Sequence, residues 1–221
     1  NGGTQPASAW TLTAAGPTSG VTGTTGTPAV TLAAVSAGSY ALSEAGPAGY
    51  AASSWTCDNA VVQAGTVEVL NGTNVTCTIV NNDIAPLLTL VKEVINDNGG
   101  GGTPSDWILS ADGPLPVSGI TGEPSVTQAA VTAGTYTLSE AGLAGYTAGS
   151  WTCVGGTLAG DQLTLAIGDD VTCTIVNDDK PVDLAIDKSD GGVTAEGGKE
   201  FVYTITVTNV GERDMDDEAV T

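Results

Sequence analysis

Tyr136-Thr137-Leu138-Ser139-Glu140-Ala141-Gly142-Leu143-Ala144-Gly145-Tyr146 returns almost unchanged as Tyr40-Ala41-Leu42-Ser43-Glu44-Ala45-Gly46-Pro47-Ala48-Gly49-Tyr50, 96 residues earlier. Tyr, Leu and Glu fall on alternate positions, the period of a strand, and the glycine-rich end reads as a turn. Other landmarks keep the spacing. Ser54-Trp55-Thr56-Cys57 answers Ser150-Trp151-Thr152-Cys153, and Asn74-Val75-Thr76-Cys77-Thr78-Ile79-Val80-Asn81 answers Asp170-Val171-Thr172-Cys173-Thr174-Ile175-Val176-Asn177. A period of this size fits one small β-domain, so two copies account for residues 1–180.

No stretch shows helical periodicity. Short alternating runs are separated by Gly, Pro and Asn instead, among them Trp107-Ile108-Leu109-Ser110-Ala111, Ala29–Val35 and Ser125–Val131. The expected class is all-β: tandem immunoglobulin-like sandwich modules of roughly seven strands each. Short acidic, proline-bearing joints at Asn81–Pro86 and Asn177–Pro181 divide the chain into 1–84, 85–180 and 181–221. Leu87–Ile95 is a clear first strand for the second module. The first module shows no counterpart, which reads as a module lacking its first strand. No signal peptide is visible before Asn1, which reads as a processed or trimmed product.

The chain holds 25 acidic and 5 basic residues, for a formal charge of -20, and no histidine. That balance opposes binding to nucleic acid and to anionic membrane surfaces. The missing histidine removes the commonest general base and zinc ligand. No apolar run is long enough to insert in a membrane. Cys57 and Cys77 are 20 residues apart, as are Cys153 and Cys173. One equally spaced pair per module predicts one disulfide in each and an extracellular setting, at a cell surface or in a filament.

Lys92 is the only basic residue among the first 179. The two-residue period puts it on the face of Leu88 and Leu90. The same rule puts Glu140 with Tyr136 and Leu138, and Asn177 with Cys173 and Ile175. Three polar side chains on apolar faces neutralise one another or react, because burying each alone is costly. In the first module Glu44 and Asn81 hold the matching places.

These residues resemble the prealbumin-like collagen-adhesin B-type (SpaA-like) domains of prokaryotic surface proteins. The resemblance rests on the strand-one lysine, the Tyr-x-Leu-x-Glu-x-x-x-x-Gly-Tyr stretch and the last-strand asparagine. It implies a prealbumin-like sandwich in which Lys92 and Asn177 condense into an intramolecular isopeptide bond assisted by Glu140. A buried ion pair, or a lysine that reaches out to solvent, is the other reading of the same residues. The third segment, from Asp183-Leu184 to Lys188 and then Tyr203–Gly211, resembles the first half of the DUF11-type repeat of long surface proteins, a β-sandwich spacer.

Asn96-Asp97-Asn98-Gly99-Gly100 resembles a calcium-loop fragment, to which Asp178 and Asp179 are candidate further ligands. A plain Asn/Asp/Gly turn explains the same residues. No cofactor other than calcium is expected. Asn71-Gly72-Thr73 and Asn74-Val75-Thr76 match the N-glycosylation pattern at Asn71 and Asn74. The four tryptophans recur with the module, which favours core positions over a carbohydrate platform.

The functional expectation is a non-enzymatic stalk or filament component, stapled by disulfides. Its partners are further copies of itself, joined head to tail by strand complementation, with Val182–Lys188 as donor. The alternative is an adhesin that binds a host or matrix protein or a glycan.

Overall fold

The computed structural model describes residues 1–221 apart from 195, 199, 201 and 212–221. In the second repeat two sheets face each other. One runs Ala129–Ala130, Leu87–Ile95, Asp170–Asp179 and Tyr146–Ala148, and Thr152–Val154 also pairs with Asp170–Asp179. The other runs Val117–Gly119, Ile108–Asp112, Gly134–Ala141, Gln162–Leu165 and Thr157–Ala159. The alternation of each strand explains the layers. Leu88, Leu90, Val171, Cys173 and Ile175 point inward from the first sheet to meet Leu109, Tyr136, Leu138, Leu163 and Leu165 of the second. Trp107 is buried beside this core and meets Tyr146 edge to face, with ring centroids 5.0 Å apart.

Leu87–Ile95 lies parallel to Asp170–Asp179, with Lys92 opposite Ile175 and Val94 opposite Asn177. Its other edge is held by a wrapped segment. Leu90 N–H donates to the Val126 carbonyl at 2.8 Å, and Lys92 N–H donates to Thr121 Oγ1 at 2.6 Å. Gln128 donates to Thr89 Oγ1 from its backbone N–H and to both Thr89 and Asp170 from its side chain.

That segment differs from expectation. Ser125–Val131 is a strand only at Ala129–Ala130, and Ala29–Val35 contains none. Turn bonds such as Val30 N–H to the Thr27 carbonyl and Val126 N–H to the Glu123 carbonyl fold the chain locally. Leu32 and Gln128 then take positive φ of 53° and 51°, which an extended ladder does not accommodate.

The first repeat keeps the second sheet intact, as Val21–Thr24, Thr11–Ala15, Gly38–Ala45, Thr66–Val69 and Val62–Gln63. Its other sheet is reduced to two pairs, Tyr50–Ala52 with Asn81–Asp83 and Thr56–Cys57 with Cys77–Thr78. Among the described residues no strand lies parallel to Cys77–Asp83. The burial pattern follows. Leu12, Leu42, Cys77 and Ile79 are only half-buried, whereas their counterparts Leu109, Leu138, Cys173 and Ile175 are buried. Leu32, the counterpart of Gln128, is 94% exposed.

Both expected disulfides form, Cys57–Cys77 and Cys153–Cys173, each between residues directly opposed on neighbouring antiparallel strands. The recurrent tyrosine of the opening stretch closes a loop in each repeat. Tyr40 Oη donates to the Ser36 carbonyl and Tyr136 Oη to the Thr132 carbonyl, both at 2.7 Å. Tyr136→Phe should therefore lower stability by about 1–2 kcal/mol, measured by urea unfolding, because the part-buried Thr132 carbonyl loses its donor.

In the third segment, Leu184–Ser189 pairs antiparallel with Thr204–Asn209. Lys188 Nζ lies 3.7 Å from the centroid of the Tyr203 ring. Ile186, Ile205 and Val207 of this hairpin are exposed. Phe201 and residues 212–221 lie outside the described residues.

Candidate functional site

Lys92, Glu140 and Asn177 meet between the two sheets of the second repeat. Lys92 and Asn177 point inward from neighbouring parallel strands, and Glu140 approaches from Gly134–Ala141 of the facing sheet. Lys92 Nζ lies 2.6 Å from Glu140 Oε2. Asn177 Nδ2 donates to Glu140 Oε1 at 2.7 Å. One carboxylate thus bridges the amine and the amide. Lys92 is 2% exposed and Asn177 3%, so water has little access to either. Asn177 Oδ1 is buried and makes no hydrogen bond, an arrangement that costs about 1–3 kcal/mol in a resting amide.

Burial pushes the Lys92 pKa down from its ordinary value, and the hydrogen bond and charge of Glu140 oppose that shift. The Trp107 ring lies 4.9 Å from Nζ and covers it. The lysine, glutamate and asparagine were all legible from strand alternation. The covering Trp107 and the backbone anchor Thr121 were not, because both reach Lys92 from segments distant in sequence. The matching amide and carboxylate of the first repeat also pair: Asn81 Nδ2 donates to Glu44 Oε2 at 2.8 Å, with no amine beside them among the described residues.

The Asn96–Gly100 loop sits above this site. Asp179, buried at the end of the last strand, accepts the Asn98 N–H at 3.0 Å and the Gly100 N–H. Asn98 Nδ2 returns a bond to the Asp179 carbonyl at 3.0 Å. Asn96 Oδ1 accepts from Tyr146 Oη at 2.6 Å, and Asn96 Nδ2 donates to the Gly102 carbonyl at 2.9 Å. One carboxylate oxygen each from Asp97, Asp178 and Asp179 lies within a 4.8 Å cluster. The first repeat builds the same loop, with Asn1 Nδ2 on the Asp83 carbonyl at 2.7 Å and Gly3 N–H on the Asp83 carboxylate at 2.8 Å.

Asp179 therefore anchors the loop, a role the sequence signalled only through the recurrence of Asn-x-Asp at the strand end. Asp179→Asn removes a charged acceptor from two backbone donors and should cost about 2 kcal/mol in equilibrium unfolding. Asn71 and Asn74 are both exposed, Asn71 at the tip of a turn. Trp10, Trp107 and Trp151 are buried and Trp55 half-buried, so none of them forms an exposed aromatic platform. Among the described residues no helix is long and apolar enough to cross a membrane.

A family model described as a prealbumin-like fold domain matches residues 1–79 and 83–175. Comparisons with curated proteins and with solved structures found no match.

Proposed function

The chain belongs to the prealbumin-like fold domain family, and from that premise we propose that it is a non-enzymatic structural stalk of an extracellular surface protein, divided as 1–84, 85–180 and 181–221. The observation that carries this reading is the closed trio of the second repeat. Its amine, carboxylate and amide contact one another inside the core, which suits a single reaction of the chain with itself.

In that reaction the neutral Lys92 amine attacks Asn177 Cγ. The new C–N bond forms, the bond to Nδ2 breaks, and ammonia leaves. Glu140 takes the proton from the amine through Oε2 and returns it to the departing nitrogen through Oε1, so the carboxylate is regenerated. Burial favours the neutral amine that the attack requires. The product ties the first strand of the module to its last.

A stretching experiment on single chains tests the stalk. The second repeat should yield no unfolding step, since force entering at Lys92 leaves at Asn177 through covalent bonds. A full unfolding step from that repeat would overturn the reading. Packing of the tryptophans supports a stalk over an adhesin with an aromatic glycan platform.

The finer reading includes assembly. The first repeat has a carboxylate–amide pair, a half-buried core and, among the described residues, an open edge along Cys77–Asp83, a seat that suits a strand of apolar-x-apolar-x-Lys pattern. Leu184, Ile186 and Lys188 carry that pattern on Leu184–Ser189. Light scattering should show association that grows with concentration, and a monodisperse monomer at every concentration would sink this part.

A further inference from the structure

The two repeats are linked by Ile84-Ala85-Pro86, and the link is bonded on both sides. Ile84 N–H donates to the Gly49 carbonyl of the first repeat at 2.9 Å, and its carbonyl accepts the Gly168 N–H of the second at 2.9 Å. Pro86 is fully buried, its φ is fixed by its ring, and its carbonyl takes the Val131 N–H at 2.9 Å. A further bond crosses between repeats from Ala133 N–H to the Asn1 carbonyl, also at 2.9 Å.

At the centre of this joint a side chain rests on bare backbone. Gly49 has φ of +80°, and a Cβ added there would lie 2.5 Å from a side-chain carbon of Ile167 and 2.6 Å from its carbonyl oxygen. A Cβ on Gly168, at φ +77°, would lie 3.2 Å from Gly49 Cα. Only glycine at residue 49 lets Ile167 sit so close.

The seat recurs at the upper end of the second repeat. Gly145 also has φ of +80°, and its carbonyl accepts Lys180 N–H at 2.9 Å, as that of Gly49 accepts Ile84 N–H. The lower turn recurs as well. Thr73 N–H bonds to the Leu70 carbonyl at 3.2 Å, as Asp169 N–H bonds to the Ala166 carbonyl at 3.2 Å, and Gly72 matches Gly168 with φ of +74°. At the place of Ile167 the first repeat carries Asn71.

We infer that Ile167 on Gly49 is a coupling that fixes the second repeat on the first in a single orientation, and that the side chain at this turn decides which lower end docks on such a seat. An apolar residue there is desolvated against the seat and docks. Asparagine loses water without gaining a partner and does not. The coupling is independent of whether Lys92 and Asn177 are joined.

Residual dipolar couplings of the full chain test this. In the wild type, amides of the two repeats should fit one alignment tensor. Ile167→Asn, which copies the residue of the first repeat, should split them into two tensors while the amide spectrum within each repeat stays dispersed. Ile167→Val should keep one tensor. Gly49→Ala attacks the joint from the other repeat and should also give two, which keeps the test open should Ile167→Asn disturb its own repeat. Two tensors in the wild type, or one tensor in both I167N and G49A, would overturn the inference.

Discussion

After its disulfides are reduced, the intact chain should weigh one ammonia less than its sequence, with Lys92 joined to Asn177 in the fragment spectrum. Glu140→Gln and Lys92→Met should each restore the missing ammonia. The two differ in what they leave behind: Glu140→Gln retains an amine and an amide without a proton carrier, and Lys92→Met retains no nucleophile. The bond closes a loop comparable in length to the whole module, so its loss should cost about 4.5 kcal/mol by the chain-entropy account that applies to disulfides.

A pH series gives an independent reading. An unjoined Lys92 has its pKa lowered by burial, so the unfolded chain binds its proton more readily than the folded one. That contribution destabilises the fold at low pH. It diminishes as pH rises through the lowered folded value, and it is gone above the ordinary lysine range. Chains with the bond intact should show no such rise, because an amide nitrogen does not titrate there. A reduced wild-type mass equal to the sequence mass would remove the isopeptide and leave a buried ion pair.

The second large effect concerns the disulfides, and it should differ between repeats. Each closes a loop of similar length, a stabilisation of about 3 kcal/mol. In the second repeat, Cys173 also sits mid-strand in Asp170–Asp179, which is paired along its full face with Leu87–Ile95. In the first repeat, Cys57 and Cys77 lie on two-residue strands that, among the described residues, pair only with each other. Reduction should therefore melt the first repeat well before the second. Calorimetry should show one transition moving down strongly and the other modestly. Equal shifts would mean that the neighbouring strand adds nothing to what the disulfide supplies.

Strand alternation carried much of this site into view. A one-residue slip would have turned Lys92, Glu140 and Asn177 to solvent, and their positions against Leu90, Leu138 and Ile175 settled the face. Equal spacing did the same for the cysteines. Ala29–Val35 misled because its apolar residues alternate like a strand, while local turn bonds and the positive φ of Leu32 decide its shape. The Asn96–Gly100 loop keeps both of its readings, cation loop and plain turn. Short oxygen side chains that suit a cation equally suit backbone donors, and Asp179 is engaged by the N–H groups of its own loop. The seat at Gly49 was invisible in sequence, where Gly-Tyr reads only as a turn. Its partner Ile167 is far along the chain and belongs to the other repeat.

The parallel pairing of Leu87–Ile95 with Asp170–Asp179 has a mechanical meaning. The chain enters the second repeat at the start of one strand and leaves it at the end of its immediate neighbour. Tension between entry and exit pulls these two strands lengthwise past each other. Every rung of the ladder from Leu87–Asp170 to Ile95–Asp178 is then loaded at once in shear, and none peels open ahead of the rest. A hairpin pulled from its two ends would unzip one rung at a time. This module would resist as a block even with no covalent bond across it, and Lys92 and Asn177 lie within the block that carries the force.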